Sequence, residues 1–136
     1  MILLDTNICI GFLRGNEHVV AAYKRNSGNV AISAMTVGEL FFGVGKSDPE
    51  FVEKNRRLVE LFISRIPVVQ TNNAIMERFG YEKARLETAG TPLDDADVII
   101  AATALSLNAP IATSNTKHFN RFPSLRLENW FDMHTA

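Results

Sequence analysis

The chain has 136 residues, 46% of them hydrophobic and 21% charged, which excludes a disordered or fibrous protein and suffices for one domain with a sizeable core. Lys and Arg number 14 against 15 Asp and Glu, a net charge of -1, so no global basic field holds nucleic acid and any such contact needs a local patch. The single cysteine, Cys9, excludes an internal disulfide and zinc-finger spacing, and it points to a reducing compartment.

Taken in chain order, Ile2-Leu3-Leu4 is a fully apolar strand, as expected at the centre of a parallel sheet. Asp5 cuts this run before it reaches the length of a leader, and no apolar stretch approaches a membrane span, so a cytoplasmic protein is expected. Asp5-Thr6-Asn7 caps a helix to about Leu13, which Gly15 and Asn16 break. A helix over 17–26 turns Val19, Val20 and Tyr23 to one side. Val30-Ala31-Ile32 is the second strand, and Ser33 or Thr36 caps a helix carrying Val37, Leu40 and Phe41. Residues 50–65 place Phe51, Leu58, Leu61 and Phe62 at helical spacing.

Pro67-Val68-Val69 is a third strand. Asn72 or Asn73 caps a helix with Ile75, Phe79 and Leu86 inward, ending at Gly90. Asp94 starts a helix to about Leu107, and Ile111-Ala112-Thr113 and Leu125-Arg126-Leu127 are the last strands. Strands alternating with helices predict an α/β fold with a parallel sheet, and residues 1–136 read as one domain.

In such a sheet ligands sit beyond the carboxyl ends of the strands. Asp5 falls there, although capping alone would also account for it. Glu39 lies in the first turn after the second strand, with Thr36 at capping-box spacing. The helix beginning Asp94-Asp95-Ala96-Asp97 is apolar on nearly every face from Val98 to Leu107, so it is buried. Asp94 reads as its cap and Asp95 as a first-turn acid favoured by the helix dipole. Asp97 is the acid expected to face inward, and no Lys or Arg between Leu86 and Leu107 offers it a salt bridge. Thr113-Ser114-Asn115 ends another strand, and Asn115 either shapes the turn or completes an oxygen shell. Oxygen donors alone suit Mg2+ or Mn2+ rather than zinc. His18, His118 and His134 show no ligand spacing and read as surface residues, and Cys9 reads as core.

Together these segments resemble the PIN-domain family, and within it the VapC-type toxins of bacterial toxin–antitoxin systems. The resemblance is carried by Leu4-Asp5-Thr6-Asn7-Ile8, by Ser33 to Leu40 with Gly43, by Pro92 to Ala102, and by Ala112 to Phe119 followed by Leu127-Glu128-Asn129-Trp130. It spans nearly the whole chain in the family's order. It implies a three-layer α/β/α domain around a parallel sheet of four to five strands, and a metal-dependent endoribonuclease. Asp5, Glu39 and Asp97 would be the acidic catalytic and metal-binding residues, with Asn115 beside them. Many family members carry an aspartate near Asn115, and the neutral residue here bears on whether one metal or two is held.

The expected chemistry is attack on RNA by a Mg2+-activated water, with Mn2+ as a substitute, leaving 5′-phosphate and 3′-hydroxyl ends. Arg14, Thr113, Lys117, His118 and Arg121 are the candidate substrate contacts. The surplus of apolar residues around Leu40-Phe41-Phe42 and over 50–65 predicts a docking surface, for which the resemblance implies a cognate antitoxin, together with a homodimer. Two rivals are a haloacid-dehalogenase-like phosphatase and a non-catalytic PIN-like module. Asn7, where the phosphatase needs a second acid, and the lack of a suitable strand-end Lys argue against the first, and the intact acids argue against the second.

Overall fold

In the computed structural model, which describes residues 1–131, five strands alternate with helices. They are β1 (Ile2–Leu4), β2 (Val30–Ser33), β3 (Val68–Val69), β4 (Ile111–Ala112) and β5 (Leu127–Glu128). The helices are α1 (Thr6–Leu13), α2 (Glu17–Arg25), α3 (Ala34–Gly45), α4 (Val52–Ser64), α5 (Asn73–Thr88), α6 (Asp95–Ser106) and the short α7 (Thr116–Phe119). The sheet is wholly parallel in the order β3-β2-β1-β4-β5. From β1 the chain adds β2 and β3 on one side, then crosses to place β4 and β5 on the other. The reversal opens a crevice between the carboxyl ends of β1 and β4, where an open sheet of this kind receives a ligand. The register Leu4 to Ala112 puts Asp5 beside Thr113 at that point.

Alternation along the strands builds the three layers. Ile2, Leu4, Val30 and Ile32 face a core shared with Ile8, Cys9, Val19, Leu40, Val59 and Phe62 from the first four helices. Leu3, Ala31 and Ile111 face the other way, onto Leu86 of α5, Val98, Ile100 and Ala101 of α6, and Phe119 of α7. β1 is only three residues long, yet all three side chains are buried, and each contributes about 1.5–3 kcal/mol. That packing anchors the residue that follows the strand.

Several local expectations change. The 50–65 segment divides into a 3-10 turn at Pro49–Phe51 and α4, because Pro49 suits the start of a helix but not its interior. The buried stripe of α4 runs through Val59, Phe62 and Ile63 to Ile66, so Phe51, Leu58 and Leu61 are exposed. Phe41 is likewise exposed rather than core. Ser33, not Thr36, caps α3 by accepting from the Thr36 N–H at 3.1 Å, which moves Glu39 into the second turn and dissolves the capping box. Thr113 follows β4 rather than belonging to it, and the last strand is displaced to Leu127–Glu128. Helix α7 is too short for a periodic signal and was not expected. No helix among the described residues is long and apolar enough to cross a membrane. His134 lies outside the described residues.

Candidate active site

Asp5 stands at the crevice with only 4% of its surface exposed. Its two oxygens have different partners. Oδ1 accepts from the Thr6 N–H at 2.8 Å and caps α1, while Oδ2 accepts from the Thr113 hydroxyl at 2.7 Å. Burial is the main reason that its pKa rises from 3.8 to about 6. The bonds from Thr113 and Thr6 oppose that rise, and the charges of Asp97 and Glu39 add to it.

Glu39 reaches the same crevice from α3. Its Oε1 accepts from the Thr6 hydroxyl at 2.5 Å. The Thr36 hydroxyl lies 3.1 Å from Thr6 Oγ1 and 3.3 Å from the Ser33 hydroxyl, so a chain of buried hydroxyls fixes the base of the carboxylate. Oε2 makes no hydrogen bond among the described residues.

The acids at the start of α6 part company. Asp94 is exposed and makes no side-chain capping bond, contrary to the expected cap. Asp95 pairs with Lys83 of α5 at 3.0 Å, a contact invisible in the local sequence. Asp97 turns inward, where His118 of α7 places Nδ1 at 2.9 Å from its Oδ2. Asn115 Nδ2 lies 2.7 Å from the same ring nitrogen. One nitrogen cannot donate to Asp97 and accept from Asn115 together, so the ring's tautomer decides which of the two contacts is a hydrogen bond. His118 is therefore a partner of Asp97 rather than the simple surface residue expected, although its side chain remains 40% exposed.

The crevice thus gathers three carboxylates, one of them buried, and no Lys or Arg forms a salt bridge with any of them among the described residues. Such uncompensated charge calls for a cation, and an all-oxygen donor set suits a hard one. As the side chains are placed, no three His, Cys, Asp or Glu among the described residues stand close enough to enclose an ion; Thr6 engages Glu39 and His118 engages Asp97. Donor chemistry and charge fit a divalent cation, and its capture would draw on those two side chains.

Residues 2–125 match the family model described as the PIN domain. The chain is 35% identical to the tRNA(fMet)-specific endonuclease VapC of Salmonella typhimurium and 33% identical to Ribonuclease VapC2 of Rickettsia felis, with 94% of this chain and 96% of each relative covered. It superimposes on the DNA-bound VapBC crystal structure from Salmonella typhimurium with a TM-score of 0.88 and 35% identity, covering 95% of this chain and 97% of the other. The chain belongs to the PIN-domain family, in its VapC-type branch.

The other residues singled out in this PIN domain take different places. Arg14 lies on the rim, lining the cleft that contains Glu39 and also the one that contains Asn7 and Ser114. Lys117 is exposed on α7 beside His118. Thr113 is fully buried, and its hydroxyl is committed to Asp5 and to the Asn115 N–H, so it positions the site and is not available as a substrate contact. Arg121 donates to the carbonyls of Thr91 and Pro92, tying down the loop that leads into α6. These bonds use only Nη1 of its guanidinium. Sequence reasoning missed Thr6 and Thr36. The signal was present, since Thr6 follows Asp5 and Thr36 precedes Glu39 by three residues, but only the packing of α1 against α3 brings the pair together.

Proposed function

We propose that this PIN domain is a Mg2+-dependent endoribonuclease, the toxin of a toxin–antitoxin pair in the cytoplasm, with Mn2+ able to substitute. The reading rests chiefly on Asp5, Glu39 and Asp97 meeting at the sheet's switch point without a Lys or Arg to neutralise them. The relatives named as ribonucleases support it. Asp5 and Asp97 would hold the ion directly, and Glu39 through water. When bound, the ion supplies a polarising charge to the phosphate and lowers the pKa of a coordinated water.

The protein's own groups do the rest. Thr113 and the Thr6 N–H keep Asp5 ionisable despite its burial. Thr6 aims Glu39 by its Oε1, leaving Oε2 to orient the attacking water and take its proton. Arg14 and Lys117 offer positive charge to the RNA backbone from the rim. Cleavage of single-stranded RNA by the purified protein, with Mg2+ and with a chelator, for wild type and Asp97→Asn, tests the assignment. Cleavage by the chelated enzyme, or full activity of the variant, would overturn it.

The apolar surplus noted in the sequence forms a surface. Two adjoining clefts, of about 250 and 230 Å3, share Leu13 and Leu58 and run from Glu39 and Arg14 to Tyr23, Leu61 and Phe62. Leu58 and Leu61 are exposed along this side. We assign the groove to the antitoxin, which would cover the acids as well as the apolar face. The neighbouring solved structures include VapBC assemblies from Salmonella typhimurium and Rickettsia felis. A homodimer is part of the same proposal.

A further inference from the structure

On the other side of Arg14 lies a second cleft, of about 460 Å3, that neither the acids nor the apolar groove occupies. Its position ties it to the chemistry. Asn7 is two residues beyond Asp5, in the first turn of α1. Ser114 directly follows Thr113, whose hydroxyl bonds Asp5. Arg14 borders both this cleft and the one containing Glu39.

The lining is chemically mixed in a specific way. The side chains of Asn7, Ser114 and Arg14 make no hydrogen bond or ion pair among the described residues, whereas the polar groups around Asp5 and Glu39 are nearly all engaged. Phe131 supplies an aromatic wall. That wall depends on Gly11, because a Cβ there would lie 2.7 Å from Phe131 Cζ. The absent side chain lets the ring close against α1. An amide, a hydroxyl and an aromatic ring around a space of this size match an unpaired base, which is read by hydrogen bonds to its edge and by stacking. A purely apolar ligand would leave the amide and hydroxyl unpaired, and a free phosphate would have no use for the ring.

We infer that this cleft binds one unpaired nucleobase of the RNA substrate, on the nucleotide adjoining the scissile phosphate, with Arg14 holding the intervening backbone. Asn7 and Ser114 read the base edge and Phe131 stacks on its face. The inference rests on the ribonuclease reading for the phosphate, but the cleft's ligand can be tested apart from it.

The test has two arms, both on the full chain. In the first, the four nucleoside 5′-monophosphates are titrated without metal, and backbone amide shifts are followed by NMR. Saturable shifts at Asn7, Ser114 and Phe131 are expected, differing among the four bases and weakened about tenfold by Phe131→Leu. Gly11→Ala, which forces the ring to shift, should also weaken binding. In the second arm, a randomised single-stranded RNA is cleaved and the cut sites are sequenced. Asn7→Ala, a change at an exposed position, should flatten the preference at one nucleotide beside the cut and raise KM about tenfold, with kcat within about threefold. Shifts confined to the apolar groove, or none, together with an unchanged preference, would overturn the inference. A uniform fall in kcat across all sequences would also overturn it, since that marks a structural role. If the protein cleaves no RNA yet the monophosphates still bind in the cleft, the ribonuclease reading falls and the base site stands.

Discussion

Replacing Asp5 with Asn should stabilise the metal-free protein at neutral pH while abolishing cleavage. The folded-state pKa of about 6 lies roughly two units above the ordinary 3.8, so the folded protein binds this proton more tightly than the unfolded chain does. Stability from this group is therefore fully present below pH 3.8, declines between 3.8 and about 6, and is gone above that. At about 1.4 kcal/mol per unit, an ionised Asp5 costs the fold about 3 kcal/mol at pH 7. Asn keeps the oxygen that caps α1 but turns the Thr113 hydroxyl from donor to acceptor, a loss of about 1 kcal/mol. The net gain is about 2 kcal/mol, or about 6 °C in Tm for a domain of this size. Thermal unfolding with chelator, from pH 4 to pH 8, measures it. The gain should shrink as pH falls and vanish at about pH 4.5, and Mg2+ should raise the Tm of wild type more than that of the variant. A variant less stable than wild type at pH 7, or a difference independent of pH, would show that Asp5 is not an uncompensated buried charge.

Thr6→Val removes the donor that aims Glu39 while keeping the side-chain volume, so kcat should fall about 10- to 100-fold with Tm little changed, as cleavage kinetics beside a melting curve would show. His118→Ala frees Asp97 from its ring partner and should weaken Mg2+ binding about tenfold by calorimetry, with unchanged affinity removing His118 from the site's support. Asn115→Asp should tighten Mg2+ binding in the same titration, because a fourth carboxylate enters the Asp97–His118 network, and a silent variant would leave Asn115 as a turn residue. Leu58→Glu, a change at an exposed position shared by both apolar clefts, should leave RNA cleavage within about twofold but reduce inhibition by the antitoxin at least tenfold.

The layers and the strand-end acids were legible because they depend on short-range pattern. Uninterrupted apolar runs marked buried parallel strands, and the all-round apolar character of residues 98–107 marked α6 as buried. What escaped depends on contacts between distant segments. Lys83 neutralises Asp95 from another helix, His118 reaches Asp97 from α7, and Thr6 meets Glu39 across the α1–α3 contact. Which residues of α4 join Phe62 inside is ambiguous in the sequence, because Leu58 and Leu61 satisfy helical spacing as well as Val59 does. Only the position of Phe12 and Tyr23 opposite Phe62 decides which stripe is inside. Arg121 reads as a free cation in the sequence, but the carbonyls of Thr91 and Pro92 engage it.

The central claim is hydrolysis by a metal-activated water held among Asp5, Glu39 and Asp97. End-group analysis of the RNA fragments produced by the purified wild-type protein in Mg2+ tests it most directly. The account predicts 5′-phosphate and 3′-hydroxyl ends, formed in Mg2+ or Mn2+ and absent with chelator. A 2′,3′-cyclic phosphate as the primary product, formed with chelator present, would make the ribose 2′ oxygen the nucleophile and contradict it.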